Sequence, residues 1–163
     1  MEATVSEDRW IFGIGEPGGG PNQFGPDWGK AEPPVRTFRT SVDQAALSWP
    51  AFQPGPLDAY HGWRSHRVEI EFDLPPHKAG SGTAIEAYEL LLVFFASHGP
   101  CPDIEIGIGE HLGKFRPEVV RADRAEVFRQ SPIAGKVELS VRMPAAWFRE
   151  GANLLSVGTV LGD

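Results

Sequence analysis

Hydrophobic and polar residues alternate strictly over three stretches of this 163-residue chain. Val68, Ile70, Phe72 and Leu74 interleave with Glu69, Glu71 and Asp73; Ile104, Ile106 and Ile108 interleave with Asp103, Glu105 and Gly107. The third stretch sets Val137, Leu139, Val141 and Met143 against Glu138, Ser140 and Arg142. A period of two sends successive side chains to opposite faces of an extended backbone, so each stretch predicts a strand with one buried and one wet face. Weaker candidates, bounded by Gly, Pro or Asn, are Trp10-Phe12-Ile14 and residues 35–42, 115–120 and 154–160. Residues 88–97 are apolar on both faces, which suits a central strand, although residues 84–92 alone have the propensity of a helix.

The connections are less regular. Gly109 and Gly113 flank a short polar tip around His111, which reads as a hairpin connection. Pro144 stands at a possible first helical position and Gly151 just past a last turn, so one short helix is expected there. Residues 15–34 and 48–66 are long, rich in Gly, Pro and aromatics, and of a length that usually marks function or disorder. Their rings, among them Trp28, Trp49, Phe52, Tyr60 and Trp63, argue for order. Seven or eight short strands with long Gly/Pro loops and at most one or two short helices predict an all-β fold. The best match is an antiparallel two-sheet β-sandwich of jelly-roll type, in one domain over residues 1–163.

Composition narrows the function. The 19 Gly and 15 Pro agree with many turns, and a formal charge of −7 repels nucleic acid in the absence of any Lys/Arg stripe. The longest apolar run, residues 90–96, is too short to span a bilayer, and the first residues lack the basic-then-apolar pattern of a signal peptide. No nucleic-acid or membrane partner is therefore expected. Cys101 is the single cysteine, so no internal disulfide can form.

Gly13, Gly15 and Gly18 spell G-x-G-x-x-G, the dinucleotide fingerprint. That motif needs its third glycine to open a helix, but Gly18-Gly19-Gly20-Pro21 follows Pro17 and no helical period begins before residue 40. A tight loop with positive φ is the better reading.

The same stretch, "WIFGIGEPGGGPNQF", resembles the W-x-I-G-x-x-D-G-x-x-x-x-F opening of the C-terminal, carbohydrate-binding-module-like domain of the rhamnogalacturonan lyases, polysaccharide lyase family 4. Trp10, Ile14, Gly15, Gly18 and Phe24 match, and Pro17 stands where the family has Asp. The segments "SWPAFQPGPLDAYHGWRSHRVEIEFDLP", "FFASHGPCPDIEIGIG" and "SPIAGKVELSVRMPAAWFREGANLLSV" are similar too, the last through a closing LP-x-x-W-x-x-x-G-x-N-x-L pattern shared by many galactose-binding-like jelly rolls. The resemblance implies a galactose-binding-like sandwich that binds sugar or acts as an accessory, with lyase chemistry in a separate catalytic domain and a parent protein that is secreted. Family members continue past "NLLSVGTV" into another strand, so a missing last strand is implied as well. Structural calcium would be unsurprising in such a domain, yet there is no D-x-D-x-D-G loop and no ligand can be nominated; no other cofactor is expected.

The aromatic loop over residues 49–66 carries the most suggestive chemistry. Sugar rings pack their C–H faces on aromatic side chains, and their hydroxyl and carboxylate groups need fixed polar partners. Trp49, Phe52, Tyr60 and Trp63 supply faces; Asp58, His61, Arg64 and His66 supply polar contacts, with Arg64 suited to a carboxylate. Against this stands a plainer use, in which the rings plug one end of the fold and the polar groups tie down the loop. Arg67 is best read as a surface residue on a wet strand face. His98, Cys101 and Asp103 lie close in sequence, but no second cysteine or paired histidine supports a metal site, and an inert Cys101 is the expectation. No two of the 22 acidic residues stand out as a glycosidase pair, and G-x-S-x-G is absent, so no catalytic residue is assigned. Three functions remain open: a polysaccharide-binding accessory module, a structural domain mediating domain or subunit contacts, and a small lyase or isomerase acting on sugar acids.

Overall fold

The computed structural model describes residues 10–16, 23–24, 37–49, 67–76, 85–94, 103–119 and 137–160. Eight strands run in the order β1 (Thr37–Arg39), β2 (Arg67–Leu74), β3 (Ala87–Phe94), β4 (Asp103–Ile108), β5 (His111–Phe115), β6 (Glu118–Val119), β7 (Val137–Pro144) and β8 (Gly151–Val160). A four-residue helix α1 (Ala45–Ser48) follows β1, and a single 3-10 turn (Ala145–Trp147) follows β7. Among the described residues the regular structure is thus mostly strand. One sheet has the order β1-β2-β8-β4-β5 and the other β3-β7-β6.

The three alternating stretches became β2, β4 and β7, and burial explains why. Val68, Ile70, Phe72 and Leu74 of β2 are buried, as are Ile104, Ile106 and Ile108 of β4 and Val141 and Met143 of β7. With Leu155 and Val157 of β8, side chains from both sheets join one hydrophobic cluster. Each such chain is worth roughly 1.5–3 kcal/mol relative to exposure, and a one-residue slip of a strand would turn its whole set outward.

Several expectations need correction. β1 runs parallel to β2, with Phe38 opposite Ile70, so the fold is not wholly antiparallel. The chain between them, residues 40–66, is long enough for the crossover that a parallel pair requires. β3 is a strand but not a central one: among the described residues only β7 pairs with it, and its outward Leu91 is exposed. Trp10-Phe12-Ile14 is not a strand. Neighbouring Ile11 and Phe12 both pack on the core, which strict alternation forbids. Around Pro144 the expected helix is one 3-10 turn, closed by the Phe148 N–H donating to the Ala145 carbonyl at 3.1 Å.

β4 departs from its wet-face reading, because outward Glu105 is buried as well. Glu105 and Arg67 form an ion pair although their strands are separated by β8. Both residues stand opposite the same position of β8, Gly158, where no side chain obstructs their meeting. Arg67 does lie on the outward face, as expected.

Where the 3-10 turn passes into β8, buried Asn153 secures the backbone. Its Oδ1 accepts from the Arg149 N–H at 3.0 Å, and its Nδ2 donates to the carbonyls of Arg149 at 2.7 Å and Gly151 at 2.9 Å. Gly151 has a φ of 77°, a left-handed conformation that glycine adopts without the cost a side chain brings.

Candidate functional site

Of the residues proposed from sequence, only Trp49 falls within the described chain; Phe52, Asp58, Tyr60, His61, Trp63, Arg64 and His66 lie outside the described residues. Trp49 caps the end of α1 and is half-buried against the core, with its ring edge-on to Phe38 at 5.6 Å and 87°. His98 and Cys101 also lie outside the described residues. Among those that are described, no three His, Cys, Asp or Glu side chains are placed to hold a metal ion, and no helix is long and apolar enough to cross a membrane.

The described part of the glycine fingerprint, residues 13–16, forms a local bend. Gly15 has a φ of 78°, and the Glu16 N–H, which a phosphate would need, donates to the Gln23 side-chain oxygen at 2.6 Å. A Cβ at Gly15 would meet the Phe24 ring at 2.7 Å, so the glycine also permits close packing there. Trp10 folds over Gly13 and remains 76% exposed.

Where β2 faces β3, rings fill the margin between the sheets. Phe12 lies 4.9 Å from Phe72, Phe72 lies 6.4 Å from Phe148, and Phe148 meets Tyr88 edge-on at 4.7 Å. Only a dimple of about 80 Å³ is left, beside Leu74, Pro75, Tyr88 and Phe148.

Where β4 and β5 face β7, a cleft of about 310 Å³ stays open. Its near wall is set by β5. Gly109, with a φ of 58°, starts a two-residue turn that pairs Ile108 with His111. His111 therefore belongs to a strand and not to the hairpin tip, and Gly113 pairs with Ile106 instead of flanking the loop. Parity then directs His111, Gly113 and Phe115 toward the other sheet, alongside Ile108, Ile106 and Ile104. The Phe115 ring folds over Gly113, 2.9 Å from where a Cβ would stand, and His111, Gly113 and Phe115 all line the cleft.

The far wall is β7. Ser140 donates a hydrogen bond to Glu89, and Arg142 lies 3.7 Å from Glu86, both on the outward face of the three-stranded sheet. What β7 turns toward the cleft at these positions is its backbone edge. β6 pairs only with Val137 and Glu138, so among the described residues β7 from 139 onward has a strand neighbour on the β3 side alone. β5 likewise pairs only with β4 among the described residues. At one end of the cleft the His111 imidazole stacks on the Trp147 indole, 4.4 Å between centroids and 15° between planes. Below Phe115, the strand pair is closed by Arg116, which donates to both Asp103 carboxylate oxygens at 2.8 and 3.3 Å. These hydrogen bonds, with the guanidinium charge, hold the Asp103 carboxyl below the usual carboxylate range.

An aliphatic floor of Ile106, Ile108, Val141 and Met143, a ring pair at one end and two strand edges without a neighbour among the described residues can bind a ligand with one apolar face and hydrogen-bonding edges. His111, Gly113 and Trp147 were not singled out from sequence. The available signal was the length of the turn, since a two-residue connection at Gly109 fixes the parity of all that follows. Comparison with models of known families, with curated proteins and with solved structures finds no match in any of the three.

Proposed function

We propose that this chain is a non-catalytic carbohydrate-binding accessory module, a jelly-roll sandwich of the galactose-binding-like kind similar to the last domain of family 4 rhamnogalacturonan lyases. The observation that carries the reading is the open cleft ending in the Trp147–His111 stack. A pyranose presents an apolar C–H face suited to an indole and a rim of hydroxyls suited to strand edges that have no neighbour among the described residues. Two sheets sharing one core are the coarse plan of such a sandwich and support it. Plant-type, pectic polysaccharide is the ligand class, and a lyase catalytic domain is the partner.

Isothermal titration with neutral and acidic oligosaccharides from pectin tests this. Binding is expected, and Trp147→Ala should weaken it about thirtyfold, the roughly 2 kcal/mol of a central aromatic contact. Silence of the wild-type protein across both sugar classes removes the reading. Release of unsaturated products by the pure protein would instead favour a sugar-acid lyase.

A structural role is the second reading, and one observation favours it: two strand edges without described neighbours flank an aliphatic floor, which suits a domain or subunit contact.

A further inference from the structure

The stacked rings belong to different sheets. His111 is the first residue of β5, and Trp147 ends the 3-10 turn that follows β7. That turn is held by backbone hydrogen bonds, Phe148 N–H to the Ala145 carbonyl at 3.1 Å and Ala145 N–H to the Glu86 carbonyl at 2.9 Å, and these leave both indole torsions free. Trp147 is 38% exposed, and the near-parallel imidazole at 4.4 Å limits its tilt, because tilting the indole would open the stack or drive it into that ring. One face of the indole is thereby occupied, and its exposed surface is left for the cleft.

We propose that His111 is the positioning residue of the cleft: by stacking, it sets the plane of the Trp147 indole and so the affinity for the sugar that packs there. This rests on the binding reading above.

The experiment compares His111→Ala, His111→Phe and His111→Gln in the full chain, by titration with pectin-derived oligosaccharides and by the near-ultraviolet circular dichroism of the ligand-free proteins, with Trp147→Phe identifying the band of that indole. His111→Ala should lose the Trp147 band and weaken binding roughly three- to tenfold, the scale of one aromatic pair. His111→Phe should restore both, and His111→Gln neither. Equal binding by wild type and His111→Ala overturns the inference and leaves the module reading standing. Rescue by Gln but not by Phe also overturns it, because hydrogen bonding would then be the operative property. A wild type that binds no fragment sinks both ideas together.

Discussion

The two margins between the sheets are built from the same kinds of residue and end in opposite conditions. Beside β2 and β3, Phe12 arrives from the N-terminal segment and completes a chain of rings through Phe72, Phe148 and Tyr88. Beside β5 and β7 the inward series is His111, Gly113, Phe115, and a cleft of about 310 Å³ stays open between the sheets. Trp147 and Phe148 are consecutive, yet one belongs to the open margin and the other to the closed margin. A packed interior margin yields stability, whereas a margin left open yields a place for something else.

The largest test of this contrast is Phe72→Ala. Phe72 is buried and touches two of the rings on the closed side, so its loss should cost about 3–5 kcal/mol, measured by urea or thermal unfolding. A cost below 1 kcal/mol would show that the closed margin is not a packed core. Next comes Gly113→Val, which attempts to close the open side. The new Cβ would meet the Phe115 ring at 2.9 Å, so that ring, which packs on the core and lines the cleft, must shift. Stability should then fall by about 1–3 kcal/mol, while titration should show oligosaccharide binding lost. Retention of binding would place the ligand elsewhere.

The smallest effect belongs to the Asp103–Arg116 pair at the foot of the open margin. Because the carboxyl is held below its ordinary range, the folded state releases that proton more readily than the unfolded chain. The resulting stabilisation is present above the ordinary aspartate range and is lost as pH falls through the depressed folded value. Asp103→Asn should therefore lower stability slightly at neutral pH and leave it unchanged below the depressed folded value, flattening the acid limb of a stability-against-pH curve by the small amount expected of an exposed pair.

What could be read in the sequence follows the physics of burial. β2, β4 and β7 were legible because a two-residue hydrophobic period is the direct imprint of one covered face. The edge position of β3 was not, since an apolar residue such as Leu91 writes the same letter whether a neighbour covers it or water does. Nor was the parallel pairing of β1, which depends on where a long connection returns the chain. The aromatic loop drew attention through composition, but of its nominated residues only Trp49 falls among those described, and it packs edge-on against Phe38. The cleft was not legible for a different reason: it lies between two sheets, and which side chains of β5 face it is fixed only once the turn at Gly109 has set the parity.

The ion pair that passes over Gly158 has a consequence for heredity. Arg67 and Glu105 meet only while the position between them stays bare. A mutation that gives residue 158 a side chain strands two opposite charges at once, one of them buried, and neither is rescued by changing the other alone. Descendants of this chain should therefore alter the three positions in concert or keep all of them, so that selection treats residues far apart in the gene as a single inherited character.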